Sequence, residues 1–111
     1  MANPWRGEVA LVIDGERRVM RLTLGALAEL EAGLNDDSLV ALVERFEAGS
    51  YSTRDVLALV VAGLRGGGWQ GGPRDLLSAE IDGGPLAAAR AAAALLAHAF
   101  ALPEAGSDGG L

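Results

Sequence analysis

Few residues of this chain could carry covalent or acid–base chemistry. There is no cysteine, so disulfides, zinc–thiolate sites and a catalytic thiol are excluded. The one histidine, His98, has Leu95 and Leu102 on its side of a helical pattern. A general base needs an orienting carboxylate or a nucleophile within reach, and the sequence pairs no serine with it. Asn35, Asp36 and Asp37 lack the alternating acids, glycine and distant glutamate of a calcium loop. Acidic residues ahead of a helix are explained by capping and by the helix dipole. The glycine-rich run 66–72 resembles a phosphate loop only in composition. All nine basic residues are arginine, so the lysine that a Walker loop requires is missing. A dinucleotide fingerprint needs a strand before the glycines and a helix after them. Here a helical pattern precedes them and Pro73 follows, so the run is expected to be a mobile loop. No catalytic residue, cofactor site or metal site is expected.

The 111 residues form one domain's worth of chain, and half of them are hydrophobic, enough for a core. Nine basic residues stand against fifteen acidic ones, for a net charge of −6. That balance argues against nucleic acid as a partner, because counterion release requires a basic surface. Arg6, Arg17, Arg18 and Arg21 make the N-terminal region locally basic, but Glu8 and Glu16 are interleaved with them. The N-terminus lacks the pattern of a signal peptide, and the alanine-rich stretch 86–102 is broken by Arg90 and His98. A cytoplasmic location without membrane contact is expected.

The elements follow from patterning. Asp14-Gly15 between two β-prone runs predicts a hairpin over residues 8–23 with a type I′ turn. A two-residue loop sets Ile13 opposite Glu16, Leu11 opposite Arg18 and Val9 opposite Met20. It also sets Glu8 opposite Arg21 as a cross-strand ion pair. Helices are expected at about 24–32, 38–48, 53–65, 73–81 and 85–101. Thr23 would cap the first, which Gly33 would end in a left-handed cap, and Leu24, Leu27, Leu30 and Leu34 would face the core. Leu39, Leu42, Val43 and Phe46 give the second a clean apolar stripe. Ser52 and Asp55 have capping-box spacing at the start of the third, which is apolar all round from Val56 to Leu64 and therefore central. Pro73 fits the first turn of the fourth. Leu86, Ala89, Ala93, Leu96 and Phe100 would be the buried stripe of the fifth. The fold class is α+β, mostly helical: an N-terminal β-hairpin packed on a bundle of four to five short helices. Residues 1–102 would form a single domain and 103–111 a flexible C-terminal tail. Trp5 and Trp69 fall beside loops, where exposed tryptophan often anchors an interface. With Leu95 and Phe100 of the last helix they are the candidate protein-interaction residues.

Three stretches carry a resemblance to a known family. They are the hairpin with 22–31 (Leu22-Thr23-Leu24-Gly25-Ala26-Leu27-Ala28-Glu29-Leu30-Glu31), then Ser52 to Val56, then Ala62-Gly63-Leu64-Arg65-Gly66-Gly67-Gly68. In order and spacing they resemble the small phage-tail proteins of gene transfer agents, encoded in the tail modules of alphaproteobacterial gene transfer agents and related prophages. The resemblance spans most of residues 5–101. It implies a non-enzymatic role in building a siphophage-like tail. One label in the family is tail tube protein; the other role is a tail assembly chaperone, which keeps the tape-measure protein soluble until tube subunits polymerise around it. The helical content and small size favour the chaperone, since the usual tube subunit is a strand-rich sandwich. The partners so implied are the tape-measure protein, other tail proteins and further copies of the chain. The location is the cytoplasm for a chaperone and the particle tail for a structural subunit.

Overall fold

A computed structural model describes Asn3, residues 6–34 and residues 38–100. The order is β1 (Val9–Ile13), β2 (Glu16–Met20), α1 (Leu24–Gly33), α2 (Leu39–Ala48), α3 (Thr53–Gly66), α4 (Pro73–Leu77) and α5 (Gly84–Phe100). This is the expected α+β, mostly helical arrangement. Asp14 and Gly15 have φ of 52° and 79°, as a type I′ turn requires. The register is the expected one, Ile13 with Glu16, Leu11 with Arg18 and Val9 with Met20. Leu11, Ile13 and Met20 enter the core from one face of the hairpin. The Glu8–Arg21 ion pair does not form. The Glu8 carboxylate instead accepts the Asn3 backbone N–H at 2.7 Å.

α3 is the central element. Leu59, Val60 and Leu64 are fully buried, and β2, α1, α4 and α5 all pack on the helix. Its start is strongly fixed. The Ser52 hydroxyl accepts the Asp55 N–H while the Asp55 carboxylate accepts the Ser52 N–H, closing the expected capping box. Its end explains the glycines. A Cβ on Gly66 would strike the Arg21 carbonyl, and one on Gly67 the Val19 carbonyl. At Gly63 it would lie 2.6 Å from a Leu95 methyl and 3.1 Å from Met20 Cβ. The glycines therefore let the last turn of α3 lie directly on the outer edge of β2, where the Arg21 N–H donates to the Gly63 carbonyl at 2.9 Å. The expected mobile loop at 66–72 is thus partly a packing surface.

Other expectations need correction. The fourth helix ends at Leu77 rather than at 81. Residues 80–82 instead pair with the free edge of β1. Asp14 N–H donates to the Glu80 carbonyl at 2.7 Å, Asp82 N–H to the Val12 carbonyl at 3.0 Å, and Ile81 bridges Ile13. Burial of Ile81 beside the hairpin outweighs one more helical turn. α1 includes Gly33, and its cap is Leu34 in a right-handed conformation, with the Leu34 side chain turned onto the core. Leu24 is 85% exposed, and Ala26 with Leu30 forms the buried side of α1. The buried face of α5 is Ala88, Ala89, Ala91, Ala92, Leu95 and Leu96, so Leu86, Ala93 and Phe100 lie off it. The small alanines let α5 approach α3 and β1 closely, and that face, with Leu95 and Leu96, turns inward.

Candidate interaction surface

The candidate site is an apolar groove at the end of the molecule where α3 starts. Val56, Leu57 and Val60 of α3 form one wall, Leu76 and Leu77 of α4 another, and Leu86, Ala88 and Ala89 of α5 the third. Its volume is about 610 Å³ and no charged side chain lines it. That size lies within the ~300–1,000 Å³ typical of binding clefts. The groove exists because α4 is only five residues long and Gly83 and Gly84, with φ of 86° and 72°, swing α5 away after it. From Val56 to Leu64 α3 is apolar around its whole circumference, and the short α4 leaves one side of that stretch uncovered near its start.

Two leucines flank the opening. Leu77 is 72% exposed and Leu86 is 58% exposed. Scattered exposed leucines are ordinary, but two at the rim of an apolar groove form a contiguous patch of the kind that marks an interaction site. Tyr51 forms a further rim and is held by a stack on Phe46, with ring centroids 4.5 Å apart and planes 7° apart. The α2–α3 corner behind it is clamped by a bidentate pair. Arg45 Nε and Nη2 donate to Asp55 Oδ2 and Oδ1, both at 2.9 Å. The Arg45 hydrogen bonds hold the Asp55 carboxyl below its ordinary value, against the opposing effect of its own burial. Asp55 is the one buried charged side chain among the described residues, and it serves the corner rather than any reaction.

The residues singled out in the sequence fall in different places. Trp5 lies outside the described residues. Trp69 is half-buried against the core, its backbone N–H donating to the Leu64 carbonyl at 2.9 Å and its ring lying over Gly71. Leu95 has no exposed surface; it packs on Gly63 and is core, so it has nothing to offer a partner in this conformation. Phe100 is 40% exposed at the far end of α5. None of the three lines the groove. His98 is exposed, with no bonded partner among the described residues. Arg18 pairs with Glu16 at 2.7 Å on the solvated hairpin face. Asp36 and Asp37 lie outside the described residues, and no metal-holding cluster occurs among those that are described. Sequence reasoning missed Tyr51, Leu77 and Leu86. The signal was the apolar run Val56 to Leu64 of α3, whose circumference exceeds what the neighbouring elements cover.

No helix among the described residues is long and apolar enough to cross a membrane. No curated protein and no solved structure matches the chain. A family model described as phage tail tube protein, GTA-gp10, matches residues 6–102, from the turn before β1 to beyond the end of α5. The match covers the hairpin, the glycine-bearing end of α3 and the groove together, and the chain belongs to this gene transfer agent family of phage-tail proteins.

Proposed function

We propose that the chain is a tail assembly chaperone that holds amphipathic helical segments of the tape-measure protein in the α3–α4–α5 groove. The open apolar groove with Leu77 and Leu86 at its rim is the observation that carries this reading. A helix presenting apolar residues at i, i+3, i+4 and i+7 buries that stripe in such a groove. One groove of this size holds a client weakly. Many copies along one long client give strong overall retention, and weak individual contacts are released when tube subunits take their place. The sheet supports the same reading. The outer edge of β2 lies under α3, and residues 80–82 occupy part of the free edge of β1. A two-stranded hairpin with part of each edge occupied is a poor unit for a wall made by extending sheets between subunits.

The second reading is a tail tube or connector subunit retained in the particle, and the family's description favours it. In neither reading does the chain perform catalysis. Quantitative mass spectrometry of purified particles against the producing-cell lysate separates them. A chaperone is abundant in the lysate and nearly absent from particles. Many copies per particle would overturn the proposal and make the chain a structural subunit.

A further inference from the structure

The α3–α4–α5 groove is apolar except at one end. Among the described residues that line it, only Tyr51 and Thr53 carry a polar side-chain group, and both stand where α3 begins. Ser52 between them is committed to the capping box. Neither the Tyr51 nor the Thr53 hydroxyl has a hydrogen-bonding partner among the described residues. Local structure fixes where the phenol stands. Gly49, with φ of 74°, closes α2 in a left-handed cap, and the Ser50 N–H donates back to the Arg45 carbonyl at 2.9 Å. The chain reverses there, and the Tyr51 ring lies flat on Phe46. The Arg45–Asp55 pair locks the same corner from the α3 side. A side chain so held has little rotamer freedom left to lose when a ligand meets it.

An apolar stripe fills the rest of the groove but cannot satisfy a hydroxyl. A client that covers this end with a leucine takes the phenol out of water and leaves it unbonded, which costs as much as a lost hydrogen bond. A charged side chain is a poor match, because no charged group lines the groove to pair with it. The net charge of −6 further disfavours a carboxylate. A neutral amide both donates and accepts, as a hydroxyl does.

We propose that the Tyr51 hydroxyl sets the register of the client helix by hydrogen-bonding a Gln or Asn side chain at one end of the client's apolar stripe. This rests on the groove being the client site, and it narrows the client to a helical segment whose apolar stripe ends in a neutral amide. A few placed polar groups in an otherwise apolar cleft fix orientation in this way. A helix shifted by one turn withdraws the amide from Tyr51 and covers the phenol with an apolar side chain.

The test is calorimetric titration of the full chain with acetylated, amidated amphipathic peptides of roughly 18 residues, long enough to form a helix in water. One has an all-leucine stripe, two carry Gln at the first or the last stripe position, and two carry Glu there. The readout is the change in each peptide's Kd on Tyr51→Phe, a variant that keeps the ring stack on Phe46. This cycle cancels the difference in apolar burial between Gln and Leu. Tyr51→Phe weakens one Gln peptide by about 3–10-fold, the worth of one neutral hydrogen bond, and does not weaken the all-leucine peptide. The Glu peptides bind less tightly than that Gln peptide. Equal losses for the Gln and all-leucine peptides, a loss below about twofold for both Gln peptides, or tighter binding of a Glu peptide would each overturn the proposal. Leu77→Ser/Leu86→Ser separates that failure from failure of the groove itself. If the double variant weakens every peptide while Tyr51→Phe does not discriminate, the groove is the client site and Tyr51 does not set the register. If no peptide binds, or none responds to the double variant, the groove reading falls and the proposal falls with it.

Discussion

Replacing Leu77 and Leu86 together by serine separates what these side chains do for the fold from what they do for a client. Full burial of a leucine side chain is worth about 2 kcal/mol. With 72% and 58% of these residues exposed, the burial still available to a docking helix is worth about 1.4 and 1.2 kcal/mol. The double variant therefore loses about 2.6 kcal/mol of client affinity, roughly 70-fold in Kd. The part already buried in the free chain is smaller, and its loss costs the fold about 1.4 kcal/mol. Against a typical stability of about 5–15 kcal/mol the variant remains folded. The assay is calorimetric titration of a soluble tape-measure fragment, run well below the Tm fixed for each protein by circular dichroism. A Phe100→Ser variant, altered at the far end of α5 and outside the groove, is the control and retains affinity within about twofold, the effect of ±0.5 kcal/mol expected away from the site. If the double variant is folded and also binds within twofold of the parent, the groove is not the client site and the reasoning from exposed area fails.

The remaining predictions concern the framework. Gly66→Ala lowers the Tm even though alanine is the better helix former, because overpacking against the fixed Arg21 carbonyl costs about 3 kcal/mol and propensity returns only about 1. Gly33→Ala, with open space around it at the end of α1, leaves the Tm unchanged or raises it; thermal melts of the pair check the contrast. Leu95→Ala costs about 2–5 kcal/mol in denaturant titration, as for a core leucine. Asp55, whose carboxyl is held low chiefly by the Arg45 hydrogen bonds, binds its proton more readily in the unfolded chain than in the folded one. Its contribution to stability is complete above the ordinary carboxylate value and is lost as pH falls through the lower folded value. Asp55→Asn therefore destabilises at neutral pH and has a Tm that falls less steeply below about pH 4, measured by melts across pH 2–7.

Local rules carried most of the fold. The turn residues Asp14 and Gly15, the caps Thr23, Ser38 and Ser52, the left-handed Gly49 and Pro73 at a helix start are short-range chemistry, and each sits where its type predicts. The errors fall where a distant contact decides. Helix propensity alone continues α4 to Ile81, but the free edge of β1 recruits residues 80–82. A stripe through Leu86 and Phe100 suits a helix considered by itself, but the alanines with Leu95 and Leu96 fit against the core and leave Leu86 and Phe100 outward. The glycines at 66 and 67 looked like a loop because nothing in their own neighbourhood in sequence reveals the strand edge they accommodate. The groove was hidden for the same reason. It is a deficit of coverage around α3, which exists only once α4, α5 and the hairpin have taken their places.

That deficit bears on how the chain works in a tail. Part of each hydrogen-bonding edge is committed internally: the end of β2 lies against α3 and one end of β1 pairs with residues 80–82. Its uncommitted apolar surface is the groove framed by Leu77 and Leu86. An apolar groove meets side chains rather than backbone, so it suits a helix better than extension of a sheet. A long helical client offers apolar stripes repeatedly, whereas a closed ring of identical subunits offers each copy one fixed neighbour. Under the proposed reading, retention therefore scales with the number of such stripes on the client, and a tape-measure fragment cut to half as many stripes holds about half as many copies.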